Sequence, residues 1–409
     1  MHADPQRTAH IDPRAVLALA IVAAAGAGIP FLSRSGAAPA TRADEADRGQ
    51  AQYVVFGYND LGMHCMNQDF SELCILPPYN TLHATVVRNE GQDPNLVTSG
   101  VTVRYVIPNN THSTDKTNFW AHDQALFGVD LPPDVGLAGA GLSGVMTPTG
   151  NGDYSVVGIP ITPMDDNGVE DPYPLATIIV ERQGVEVART QAVVPVSWEI
   201  SCNICHGGEG ISVATDILMD HDRLHSTDLV NNKPVLCASC HADPALGAPG
   251  QAGVSFLSHA VHGAHAPRMA PAAMLESECY ACHPGVRTQC QRDVHLSNGM
   301  TCAACHGGMA QVGDPNRTPW VTEPRCAECH TRPGFEFEQP GLLYRESRGH
   351  QGVQCMACHG SPHAITPTVT EVDNLQAIRH QGHPGVIDTC LVCHGTMPTE
   401  PFPHAPNDD

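Results

Sequence analysis

Cys202-Asn203-Ile204-Cys205-His206 decides how the second half of this chain is read. The same C-x-x-C-H spacing returns at Cys237, Cys240 and His241, at Cys279, Cys282 and His283, and at Cys302, Cys305 and His306. It returns again at Cys326, Cys329 and His330, at Cys355, Cys358 and His359, and at Cys390, Cys393 and His394. A chain of this composition would show roughly 0.04 such matches by chance. Seven copies are therefore a repeat, and they use 14 of the 17 cysteines.

Two thiols three positions apart can both add to the vinyl groups of one haem. The histidine that follows then supplies the iron's proximal nitrogen. This is the attachment pattern of c-type haem. Zinc ribbons also use C-x-x-C pairs, but they do not need a histidine after every pair. Redox-active C-x-x-C normally occurs once per thioredoxin-like unit. Seven histidines in seven pairs fit neither alternative. With these motifs, residues 200–400 resemble a multihaem c-type cytochrome, a family of respiratory electron-transfer proteins. The resemblance implies seven covalently attached haem c groups and packing of the haems as a shared core. Successive motifs begin 35, 42, 23, 24, 29 and 35 residues apart. About 29 residues per haem is too little protein for separate apolar cores. Short helices joined by Gly/Pro loops are expected there.

Seven proximal histidines leave eleven more after residue 200. His225, His265, His295, His350 and His383 each precede a motif by 5 to 14 residues, and His363 sits four after His359. These six and His221 are the candidate distal ligands, expected to give mostly bis-histidine, low-potential haems. Within the clusters His259/His262/His265 and His380/His383, a spacing of three puts two rings on one helical face, so one can bind iron and the other not. No free histidine lies between His306 and Cys326 or between His330 and His350. Those two haems are expected to borrow ligands from farther along the chain. Met219, Met269, Met300 and Met309 are the alternatives, expected at one site at most.

The rest of the composition fits an exported protein. With 43 acidic against 21 basic residues, the formal charge is −22, which offers nothing to nucleic acid or an anionic membrane. Residues 1–40 read as a secretory signal peptide: an apolar stretch from Ala15 to Leu32, then Ala38-Pro39-Ala40 as the cleavage site. An uncleaved N-terminal anchor is the competing reading. The expected location is the periplasm or the cell surface. Cys65, Cys74 and Cys290 lie outside the motifs. Cys65 and Cys74 can close a short disulfide, or Cys290 can pair with either.

Residues 50–199 carry no motif. Their β-branched or alternating runs are 53–58, 81–88, 101–107, 153–161, 176–182 and 185–196, separated by Gly/Pro/Asn clusters, with a hairpin turn at Gln183-Gly184. This predicts an antiparallel β-sandwich-like domain, immunoglobulin-like in general type, ahead of the haem domain. His64 and His83 could reach an iron from it. The acidic run 164–171 reads as an Asp-Asn-Gly turn before it reads as a calcium loop.

The functional expectation is respiratory electron transfer through the haem array. Partners would be other redox proteins: cytochromes, reductases or membrane quinol oxidases. One alternative is a multihaem oxidoreductase with an open-site haem acting on a small nitrogen or sulfur compound. Enzymes of the nitrite reductase type often mark that haem with C-x-x-C-K, which is absent here. Lys233, four before Cys237, reads as a solvated charge. The other alternative is a subunit of an extracellular haem filament.

Overall fold

The computed structural model describes residues 53–89, 94–335, 337–399 and 404. The leader at 1–40 lies outside them. The strands are β1 (Tyr53–Tyr58), β2 (His64–Cys65), β3 (Leu73–Cys74), β4 (Asn80–Arg88), β5 (Asn95–Leu96), β6 (Thr102–Val106), β7 (Ser143–Pro148), β8 (Tyr154–Ile159), β9 (Leu175–Arg182), β10 (Val185–Val193), β11 (Val196–Ser197) and β12 (Val235–Leu236). The helices are α1 (Phe119–Phe127), α2 (Val213–His225), α3 (Leu257–His265), α4 (Val294–Ser297), α5 (Cys302–His306), α6 (Met309–Val312), α7 (Cys355–His359) and α8 (Glu371–Gln381).

Eight strands make one antiparallel ladder, ordered β1-β4-β8-β7-β6-β9-β10 with β5 on β4. It is one continuous path, where the sequence suggested two sheets. Register shifts at Asn80/Thr81 and Glu186/Ala188 help bend it. It curls until β1 lies against β10, and a Cβ on Gly57 would overlap Ile178 and Ala192. Gln183 and Gly184 both take positive φ, the conformation a tight β9–β10 hairpin needs. The strand interior is filled by Phe70, Leu82, Ile107, Phe119, Tyr154, Ile159 and Ile178, all almost fully buried.

Strand β1 is buried on both faces, and this joins the two halves. Tyr53 and Val55 face the interior. Val54, Phe56 and Tyr58 face a second apolar cluster that contains Met356, Ala357 and Val392, from the sixth and seventh motifs. Helix α8 docks beside it. The Gln376 side chain accepts from Gly57 N–H at 2.7 Å and donates to Gly57 C=O at 3.1 Å, pairing as another strand would. Two short parallel pairings add further ties: β2 with β11, and β3 with β12. The Glu199 carboxylate accepts from the backbone N–H groups of Val286, Arg287 and Thr288, holding the loop after the third motif.

Among the described residues no two cysteines are joined by a disulfide. Cys65 and Cys74 lie in strands with different partners, β11 and β12. Cys74 aligns with Leu236, next to Cys237, whereas Cys65 lies near Cys290. No described helix is long and apolar enough to cross a membrane.

Candidate functional site

Each motif folds as a single tight turn, α5 and α7 being the longest. In the others the histidine N–H donates to the first cysteine's carbonyl, as His206 does to Cys202 at 2.9 Å and His283 to Cys279 at 2.8 Å. One local bond thus sets both thiols and the imidazole. This is why the motif repeats in segments that share no other secondary structure.

Every motif histidine faces a second histidine. The ring centres are 6.2 Å apart for His206 and His265, 6.3 Å for His241 and His221, 6.1 Å for His283 and His262, and 5.9 Å for His306 and His363. They are 6.0 Å apart for His330 and His295, 5.7 Å for His359 and His404, and 6.0 Å for His394 and His350. An imidazole nitrogen sits about 2 Å from a bound transition metal. Adding the ring radii, two imidazoles on opposite sides of one ion have centres about 6 Å apart. The seven pairs therefore fit a metal held between two rings, and the paired thiols beside each fit covalent haem.

Hydrogen bonds at the other ring nitrogen support this assignment. His262 and His265 donate from Nδ1 to the carbonyls of Ser258 and Val261 at 2.7 Å each. His241 donates from Nδ1 to Ser255 C=O at 2.9 Å, and the Nδ1 atoms of His295 and His206 meet Asp293 and Asp216. Such bonds fix the tautomer and leave Nε2 for iron. His259 and His380 do the reverse, committing Nε2 to the carbonyls of Arg317 and Val55. Burial, with the facing histidines, pulls His283, His306 and His359 down to about 4. Neutral imidazole is the form a metal requires.

Of the distal candidates, His221, His265, His295, His350 and His363 each stand opposite a motif ring. His225 instead packs on His221 at 4.8 Å, and exposed His383 lies 3.5 Å from Asp388. The sequence left His262 open within its cluster and did not single out His404. His262 lies 17 residues before its nearest following motif, and His404 follows the last motif. Their signal was the demand for seven partners, together with the i,i+3 spacing that lets α3 serve two motifs. Of the two motifs expected to find a partner farther along the chain, His306 does face a later ring, His363, but His330 faces the earlier His295, because the chain folds back beside it. His83 is bound to Asp153 at 2.8 Å, and His64 approaches Asp60 at 3.6 Å. Lys233 pairs with Glu72. The 164–171 run is a turn: Asp165 accepts from Asn167 N–H and Val169 N–H, while Asp166 pairs with Lys116.

The motifs are linked neighbour to neighbour. The Cys279 and Cys302 thiols share a hydrogen bond, and Cys282 feels the charge of Cys202 and Cys205, and Cys305 that of Cys329. The same coupling joins Cys326 with Cys355 and Cys358 with Cys393. Helix α2 attaches the second motif beside the first, with Asp216 at His206 and His221 at His241.

Residues 309–360, which hold the fifth and sixth motifs, match the family model described as Cytochrome c554 and c-prime. No curated protein and no solved structure matches the chain. The family match supports a c-type cytochrome with covalently bound haem c and an electron-transfer role; c-type cytochromes are typically exported.

Proposed function

We propose that this chain carries seven covalent haem c groups, each held between two histidines, and relays single electrons between redox partners. The observation that carries this reading is the pairing of all seven motif histidines with a second imidazole from the same chain. Haem iron, when bound, supplies the one-electron couple, and bis-histidine ligation keeps its potential below that of His/Met ligation. The chain's part is positional. Each motif turn sets two thiols and a proximal ring. Bonds at Nδ1 aim Nε2 and raise the basicity of the ligand. The second ring closes the position that a small substrate would need, which disfavours the open-site oxidoreductase. All fourteen rings come from one chain, so ligation needs no neighbouring copy, as some filament designs would.

Export to the periplasm or cell surface fits the leader at 1–40. A partner cytochrome, reductase or quinol oxidase would present a basic face to a chain of formal charge −22, with docking that weakens as salt rises.

The test is intact mass combined with carbon monoxide titration. We expect the mass of seven haems per chain, low-spin spectra, and no change when carbon monoxide meets the reduced protein. High-spin ferric iron in the isolated protein, or uptake of one carbon monoxide per chain, would replace the carrier with the open-site enzyme.

A further inference from the structure

Arg292 is the largest fully buried side chain among the described residues, with 1% of its surface exposed. Its guanidinium holds Asp373 of α8 by two bonds, at 2.6 and 2.9 Å. Nη1 donates to Gly62 C=O at 2.6 Å and to Cys290 C=O at 3.2 Å, and the Tyr173 ring lies 5.0 Å away. The Arg292 backbone N–H donates to His363 C=O at 2.8 Å, and its own carbonyl accepts from Val369 N–H. Three other segments, around Gly62, Tyr173 and residues 363–373, therefore converge on this residue.

The segment paired with the Arg292 backbone carries His363. This residue has φ of +60°, a left-handed conformation that a non-glycine residue adopts only when its surroundings compel it. Those surroundings are the Arg292 backbone on one side and, on the other, Gly62, whose carbonyl the Arg292 guanidinium holds. A Cβ on Gly62 would overlap the Pro362 carbonyl oxygen. The His363 ring faces His306.

We propose that Arg292 is the positioning residue for His363. Through it, the sheet half of the molecule holds closed the distal side of the fourth haem, the one attached at Cys302 and Cys305. This rests on the paired-histidine reading above. A salt bridge serving only stability would not select one haem of seven.

The test uses the haem-loaded full chain and counts carbon monoxide bound per chain, with high-spin ferric EPR alongside. His363→Gly is the reference, expected to take up one carbon monoxide and to return to low spin with added imidazole. Arg292→Lys keeps the charge but loses the two-pronged geometry. Gly62→Ala displaces Pro362 from the opposite side. Both are expected to raise uptake from none toward one per chain, with the His363→Gly spectrum and the same rescue by imidazole. The double variant Arg292→Lys/His363→Gly should still take up only one. If the two single variants load seven haems and stay closed, or the double variant takes up two, Arg292 does not position His363. If His363→Gly itself stays closed, the paired-histidine reading fails at this haem, which is a different result.

Discussion

The two halves of this molecule solve the same problem with different materials. The sheet half excludes water with ordinary side chains: Phe56, Phe70, Leu82, Phe119, Tyr154 and Ile178 are each no more than 2% exposed. The motif half has no comparable set. Its buried apolar residues are mostly alanines, with Leu218, Tyr280, Met309, Met356 and Val392 scattered among them. Its motif cysteines and most of its paired histidines are instead half-buried or exposed. A sheet can close on its own sequence. A segment of about 29 residues per motif cannot bury enough apolar area to offset its chain entropy, so the proposed haems must complete its core.

The sharpest way to break this contrast is to withhold the haem. Chain produced without haem attachment should keep slow amide exchange over residues 53–197 and lose it over 200–399. The expected effect is the whole of the second half's stability, because metal and cofactor binding there is folding free energy. Equal protection of both halves would show that side chains suffice. Loss of both would show that the cluster shared by Phe56, Met356 and Val392 makes them one cooperative unit.

That contrast also explains what could be read in advance. Strand β1 was legible to its ends, and β4, β6, β8, β9 and β10 nearly so, because alternation of apolar residues is a local signal. Strand β7, Ser143–Pro148, was not, since Gly144 and Pro148 weaken its pattern and its pairing with β6 and β8 makes it a strand. The motif turns were legible for the same reason as β1: each is written within five residues. Five of the facing histidines could be named from their spacing, but which motif each faces could not, because His363 meets His306 and His404 meets His359 across folds of the chain that no short pattern encodes. Arg292 gave no sequence signal at all; its importance comes from what converges on it.

A core substitution sharpens the contrast at intermediate size. Leu82→Ala, in the sheet interior, should cost about 2–5 kcal/mol, and Phe56→Ala about 3–5 kcal/mol. Their signatures should differ. Leu82 belongs to the sheet's own cluster, whereas Phe56 packs on the sixth and seventh motifs. In urea titrations, Leu82→Ala should shift the far-ultraviolet transition ahead of the haem absorption transition, and Phe56→Ala should shift both. Identical behaviour of the two variants would erase the boundary between the halves.

The smallest expected effect tests the seam itself. His380 sits on α8 with its ring 5.0 Å from Phe56, and its Nε2–H donates to Val55 C=O at 3.1 Å. Burial, reinforced by the nearby Arg379 charge and opposed by the Val55 bond, lowers its pKa from 6.5 to about 4. The folded protein thus keeps this ring neutral where the unfolded chain would protonate it. Stability from this group is fully present above pH 6.5 and is lost as pH falls toward 4, because the unfolded state binds the extra proton throughout that interval. The loss is at most about 3 kcal/mol. His380→Gln keeps a donor but cannot titrate. Between pH 7.5 and 4.5 its urea midpoint should fall less than that of the natural protein, while at pH 7.5 the two should lie close together. Equal acid sensitivity of the two proteins would mean that the seam opens before His380 protonates, and that the halves part at α8 rather than unfold together.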